Sequence, residues 1–249
     1  MTRATGRTRA PHNPRTPRTP RTRRSRSTRR EWLAPSGLIL LCLVPIAAGA
    51  SRLGQLTAGA ETSDNERFFD SPVPVIAHIV SVTVYCLLGA LQFVPSLRRR
   101  PWHRRVGRVL LPAGLLAAST GLWMAFSPAL PSHDGGALLV LRIVFGTSMI
   151  ASLVLGFLAI RRGDVRVHSA WMTRAYAIAL GAGTQVFTGL VGAILLGGEP
   201  DALAWAVLMG AGWVINLAVA EVVIRRRVAG SGPASRTSGR SAAASARLS

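Results

Sequence analysis

The sequence predicts an all-α fold: a polytopic membrane bundle of six transmembrane helices with both termini in the cytoplasm. Three observations carry this expectation. Nearly half of the 249 residues (49%) are apolar and only 16% are charged, against roughly 25% charged residues in an ordinary soluble domain. The charge is also sorted: all 30 basic residues are arginine and many crowd the N-terminus, while long runs carry none. Those runs are long enough to cross a hydrocarbon core about 30 Å thick, which takes roughly 20 residues of helix. A soluble domain, a coiled coil and a wholly disordered chain are excluded.

Each span follows from its own run. Trp32 to Ser51 is uncharged; Ser71 to Leu97 carries only His78 and Tyr85 as ionisable groups; Val109 to Ser132 is uncharged. Gly135 to Ile160 carries only Arg142, Ala175 to Gly198 has Tyr176 at its start, and Ala202 to Ala220 is uncharged before Glu221. None alternates as a membrane β-strand would. The expected spans are about 34–51, 73–97, 109–128, 137–160, 172–197 and 202–224.

Arginine accumulates in short cytoplasmic loops. Here it fills the segment before the first span, Arg98 to Arg105 after the second, Arg161 to Arg166 after the fourth, and Arg225 to Arg227 after the sixth. The alternate loops hold Glu61, Asp64, Glu66 and Asp70, then Asp134, then Glu199 and Asp201. That pattern expects a bacterial inner membrane protein with every basic loop on the cytoplasmic side.

Residues 1–33 form a low-complexity tail, with Pro-Arg-Thr repeating between Pro14 and Thr22, and residues 228–249 are rich in Gly, Ser and Ala. Both lack the apolar groups to build a core and are expected to be disordered. The expected partners are the lipid bilayer, anionic lipids along the arginine-rich tail, and a second copy of the chain. Nucleic acid is not among them, because no aromatic or folded reader accompanies the charge. Arg29-Arg30 before an apolar run resembles a twin-arginine export signal, with Ala48-Gly49-Ala50 as a small-residue cleavage pattern. Positive flanks before a first span explain the same residues without export, and cleavage after Ala50 would leave five spans. Cys42 and Cys86 sit in apolar runs with no C-x-x-C pair, so two buried thiols are expected rather than a disulfide framework.

Ionisable groups inside a membrane are costly and usually face the bundle interior. On the second span His78, Ser81, Tyr85, Gly89, Gln92 and Ser96 recur at spacings of three or four; on the fifth Arg174, Gly181, Gln185, Thr188 and Gly192 do the same. The membrane polar stripe is thus read as His78, Tyr85, Gln92 and Gln185. The third span presents Gly107, Gly114, Ala118, Gly121 and Ala125, a small-residue face that lets helices approach. Arg142 either reaches outward or faces the interior near His78. Glu221, four residues before Arg225, is placed for an ion pair along its own helix, the alternative being a meeting with Arg174 in the interior. His12 lies in the tail, and His133 lies in an outer loop.

His103 and His168 each open an outward-running helix after a basic loop, which hints at a parallel repeat. His168 and Trp171 share one face, and Arg174 begins the polar stripe. His103, His168, Trp171 and Arg174 are therefore the candidate ligand site at the cytoplasmic mouth. Arginine would supply fixed charge, histidine a switchable ligand and tryptophan an interfacial anchor.

The residues His78, Gly89-Ala90-Leu91-Gln92-Phe93, Arg99, Trp102-His103-Arg104-Arg105-Val106-Gly107-Arg108 and His168-Ser169-Ala170-Trp171-Met172-Thr173-Arg174-Ala175-Tyr176 resemble a bacterial family of membrane proteins, domain of unknown function 2306. The resemblance spans about Pro74 to Gly192. It implies a polytopic membrane protein, and it brings no assigned activity or catalytic residue.

Three function classes stay open. A structural or accessory membrane protein needs only the bundle. A membrane oxidoreductase would hold haem b, with His103 and His168 as ligands to the iron and His78 with His133 as a second pair. A transporter or lipid-handling protein would use the polar stripes as a path and the arginines to hold a phosphate or carboxylate. Hydrolase motifs such as G-x-S-x-G and H-E-x-x-H are absent, and no catalytic residue is assigned. The charge pattern has a direct test. A reporter fused after Arg227 is expected to be active only in the cytoplasm, and one inserted near Asp64 only outside; the reverse at both sites would overturn the orientation.

Overall fold

A computed structural model describes residues 24–59, 61–62, 65–126 and 134–229 of the chain. The outer ends of both tails, His12 and His133 lie outside the described residues. Among the described residues there are nine helices and no strand: α1 (Arg24–Ala58), α2 (Glu66–Asp70), α3 (Pro72–Leu91), α4 (Pro95–Arg98), α5 (Pro101–Ala125), α6 (Gly136–Arg161), α7 (Val165–Ala179), α8 (Gly181–Leu196) and α9 (Ala202–Ala229). The helices α1, α3, α5, α6 and α9 are each long and apolar enough to cross a membrane, and α7 with α8 makes a sixth span, bent by 44°.

Local chemistry sets the helix ends. Pro72 and Pro101 stand in the first turns of α3 and α5, where a missing N–H costs nothing. The span expected at 73–97 closes at Leu91, because Pro95 holds Val94 extended before the short α4. Gly163, at φ 79°, turns the chain out of α6. One residue later the Asp164 carboxylate accepts from the Val167 N–H at 2.9 Å and caps α7. Gly197, at φ 65°, ends α8, and Asp201 caps α9 through the Ala204 N–H at 2.8 Å.

Three further boundaries depart from the sequence reading. Residues 24–33, expected within the disordered tail, are helical and continue into the first span. The last tail proline is Pro20 and the next is Pro35; arginine is a good helix former, and a helix once nucleated extends cheaply. At the other end α9 runs to Ala229, so residues 228–229 of the expected tail are also helical. The fifth span starts at Val165 rather than near residue 172 and breaks at Leu180.

The bundle is built from hairpins. α3 packs along α5, α6 along α7 and α8 along α9, and α1 lies across α3 and α8. Glycines let large side chains seat against neighbouring backbones. A Cβ on Gly89 would stand 2.5 Å from the Tyr176 ring, and one on Gly114 would stand 2.6 Å from Tyr85. Tyr176 donates its hydroxyl to the Cys86 carbonyl at 2.7 Å. Its ring lies 5.9 Å from Tyr85 and 5.1 Å from Phe93, centroid to centroid, within the range of favourable aromatic pairs. Cys42 and Cys86 are free and buried. The outside of the bundle exposes Leu40, Val44, Phe187, Leu195 and Val207 among many apolar side chains. Such a surface suits lipid, while the helices satisfy their own backbone groups.

The contact between α1 and α8 can be tested at one glycine. A Cβ on Gly183 would press on the Leu41 carbonyl oxygen, whereas one on Gly37 would meet open space. Gly183→Ala is expected to cost about 1–3 kcal/mol, because backbone cannot step aside as a side chain can. Gly37→Ala is expected to gain up to about 1 kcal/mol from helix propensity alone. Thermal unfolding in detergent checks the ranking, and equal effects would remove α1 from α8.

Candidate functional site

The antiparallel helices place polar groups at two opposite ends. One is the arginine-rich end, where α3 stops, α5 starts, α6 passes to α7 and α9 finishes. Here Gln92 follows the last turn of α3 and His103 lies in the first turn of α5. The Gln92 Nε2 and the His103 Nδ1 are both buried with no hydrogen-bond partner among the described residues. An orphaned buried polar atom costs about 1–3 kcal/mol, so two at one place are notable. Arg98 donates from Nε to the Gln92 carbonyl at 3.0 Å. Its side chain is exposed at one edge, but burial of the rest and then the charge of Arg227 pull its pKa below the usual arginine value. It stays cationic near neutrality. Arg227 reaches the Ser169 hydroxyl at 3.4 Å, beside His168. His168 and His103 lie close enough for their charges to interact, and Arg98 acts on His103 as well.

The His168 ring is oriented by α6. Its Nδ1 lies 2.8 Å from the Gly156 carbonyl, and a carbonyl only accepts, so Nδ1 carries the proton. Nε2 is left as the lone-pair nitrogen, the form in which histidine binds metals or accepts hydrogen bonds. The same glycine receives Trp171 and Met172: a Cβ there would lie 3.3 Å from the Trp171 Cβ and 2.5 Å from the Met172 methyl. His168, Trp171 and Met172 thus share the α7 face that meets α6.

Arg174 does not join the histidines. It turns to α9 and grips Glu221 with both edges of its fork, Nε to Oε1 at 2.5 Å and Nη2 to Oε2 at 3.1 Å. Its guanidinium also lies 4.7 Å from the Trp171 ring centroid, a cation–π distance. This corrects the expectation that Glu221 pairs with Arg225 along α9. The packing of α7 on α9 presents a planar fork to a planar carboxylate, and two parallel charge-assisted bonds outcompete one contact between helical neighbours. The four residues of the sequence-derived site therefore form two adjoining groups, His103 with His168 and Trp171 with Arg174.

At the acidic end a cavity of about 360 Å³ lies within the bundle. Arg142 bonds Asp134 at 2.8 Å, and the Trp205 indole donates to the same carboxylate at 3.3 Å. Arg142, Asp134 and Arg67 line the cavity together with His78. Burial lowers the Arg67 pKa, Asp134 opposes that shift, and Arg52 and Arg142 reinforce it. His78 approaches the Ala117 carbonyl through Nδ1 at 3.0 Å and Thr120 Oγ1 at 3.2 Å. Gln185 donates from Nε2 to the Met209 carbonyl at 2.9 Å and borders the same cavity.

The expected polar stripe of α3 is divided by depth. Tyr85 is enclosed against Gly114 in the core, His78 faces the cavity, and Gln92 belongs to the arginine-rich end. The fifth-span stripe is cut by the bend at Leu180, with Arg174 on one side and Gln185 on the other. Sequence reasoning missed Arg98, Arg227, Asp134 and Trp213. Asp134 and Arg142 stand eight residues apart, close to two helical turns, and that spacing was a usable signal. The meeting of Trp213 with Gly181 has no sequence signal, since it depends on how α8 lies on α9. Among the described residues no three His, Cys, Asp or Glu side chains gather as a metal site.

A double-mutant cycle separates the two partners of Glu221. The pair with Arg174 is partly exposed, at 27% and 36% for the two side chains, so the bond is screened. Coupling of about 1 kcal/mol is expected between Arg174→Met and Glu221→Gln. Coupling of at most a few tenths is expected between Arg225→Met and Glu221→Gln.

No curated protein and no solved structure matches the chain. A family model does match it, over residues 75–224 and so more than half of the chain, under the description predicted membrane protein (DUF2306). The matched region runs from the first turn of α3 into α9 and contains most of both ends described above, with Arg67 and Arg227 outside it. The chain belongs to this family of multi-pass membrane proteins, domain of unknown function 2306.

Proposed function

We propose that this protein is an accessory protein of a bacterial plasma membrane, with both termini cytoplasmic, that holds an anionic phosphate or carboxylate head group at its arginine-rich end. The observation that carries the reading is the pair of buried, unpartnered polar atoms, Gln92 Nε2 and His103 Nδ1, set beside Arg98 and His168. Donors gathered around fixed positive charge fit an anion that accepts several hydrogen bonds. Arg227 adds charge at the rim. The α9 carboxylate Glu221 is committed to Arg174. The site stands where the helices end, which is the depth of lipid head groups, and arginine clusters on the cytoplasmic side meet the anionic leaflet.

A second reading is favoured by the His168 tautomer. A protonated Nδ1 held by a backbone carbonyl, with Nε2 bare and a second histidine nearby, is the arrangement that haem iron requires of an axial ligand. That reading makes the protein a membrane oxidoreductase carrying haem b between α5 and α7.

One preparation tests both. The full chain is reconstituted in phosphatidylcholine with and without phosphatidylglycerol. Under the first reading phosphatidylglycerol raises the unfolding midpoint by several degrees, and Arg98→Gln with Arg227→Gln removes most of that rise. No lipid dependence would overturn it. A Soret band that shifts on reduction and disappears in His168→Ala would select haem instead.

A further inference from the structure

The cavity at the acidic end belongs to neither reading of the arginine-rich end, and its chemistry is specific. Its volume of about 360 Å³ falls within the usual range for small-molecule sites, about 300–1,000 Å³. The walls are mainly apolar and include the ring pair Phe145 and Trp213, stacked with centroids 4.8 Å apart. The bend at Leu180 shapes the deep wall, which includes Ala179 and Ala182 from either side of the break.

Of the polar residues that line it, Arg142 is paired with Asp134 and Arg67 lies over the Phe68 ring, while His78 and Gln185 both present acceptors. His78 donates its Nδ1 proton toward the Ala117 carbonyl and Thr120 Oγ1. Thr120 directs its own hydroxyl proton to the Leu116 carbonyl at 2.6 Å. The proton is therefore on Nδ1, and Nε2 carries a lone pair. Gln185 uses Nε2 for the Met209 carbonyl, so its Oε1 is the free end of the amide. Neither acceptor has a protein partner among the described residues. Both residues are held in place from behind: a Cβ on Gly121 would lie 3.2 Å from the His78 ring, and one on Gly212 would lie 2.7 Å from Gln185 Cγ.

We propose that this cavity binds a small aromatic hydroxyl compound of the phenol or hydroquinone class, whose O–H groups donate to His78 Nε2 and Gln185 Oε1 and whose ring lies against Phe145 and Trp213. A donor is required to satisfy the acceptors of His78 and Gln185, and a site built to accept rejects an analogue without the donor. An aromatic body is required because the remaining wall is apolar and carries a stacked ring pair. Such a molecule partitions into the bilayer and reaches the bundle from there.

Methylhydroquinone and its dimethyl ether are the probes, titrated calorimetrically into the full chain in detergent. Saturable binding of methylhydroquinone is expected, with the ether at least tenfold weaker. His78→Phe, which keeps the ring and removes the acceptor, is expected to lose at least tenfold for methylhydroquinone while binding the ether as before. Ala182→Leu fills the cavity without touching a polar group and is expected to weaken both probes. It serves as the second variant if His78→Phe does not fold. Equal affinity for the two probes, affinity unchanged in Ala182→Leu, or no saturable binding would each overturn the proposal, the last leaving a water-filled cavity. Phosphatidylglycerol dependence at the other end is unaffected by any of these outcomes, so the two sites fail independently.

Discussion

The structure depends on large side chains seated on glycine at the crossings of its helices. In a bilayer, helices gain little by hiding apolar surface from one another, because lipid is as apolar as leucine; close packing and hydrogen bonds must hold them. Tyr176 meets Gly89 and Tyr85 meets Gly114, so one aromatic cluster joins α3, α5 and α7 at the centre of the bundle. The Tyr176 hydroxyl is satisfied by a backbone carbonyl of α3, which removes the cost of burying it. Because the centre is closed by these rings, polar chemistry is displaced to the two ends.

The two ends solve the problem of charge differently. At the acidic end Arg142 lies inside the apolar run of α6 but reaches Asp134 near the helix start, so one membrane-embedded cation is neutralised close to the surface. At the arginine-rich end Arg174 and Glu221 neutralise each other across α7 and α9. The neighbouring Gln92, Arg98 and His103 gather polar groups and positive charge without such a match. That imbalance is the basis of the proposed anion site.

The bend at Leu180 links packing to the cavity. No proline stands there; Gly181 and Gly183 flank the break, with Trp213 against the first and the Leu41 backbone against the second. Thr184 bonds Asn216 at 2.8 Å, and Asn216 in turn donates to the Ala177 carbonyl at 3.2 Å across the break. A polar side chain from α9 thus bonds a carbonyl beside a break in the helical ladder, a known cause of helix kinks. Ala179 and Ala182, on either side of the break, line the cavity that His78 also lines.

What the sequence by itself determined is what is written along one dimension. Apolar runs set the number and approximate place of the spans, alternating loop charge set the expected sidedness, and proline, glycine and aspartate set several helix ends, as at Pro72, Gly163 and Asp164. His103 and His168 were proposed as a pair because each opens a helix after a basic loop. What only the tertiary structure decided is which polar groups meet. Glu221 had a plausible partner four residues away and took one from another helix, because a two-point match across a helix contact exceeds a one-point match along a helix. Arg98 acts on His103 and Arg227 on Arg98, from separate chain segments, and His78 and Gln185 line one cavity whose walls come from distant parts of the chain. Such meetings depend on the rotation and depth of each helix. Those are set by how glycine, tyrosine and tryptophan interlock at the crossings, and no local pattern in the sequence specifies them.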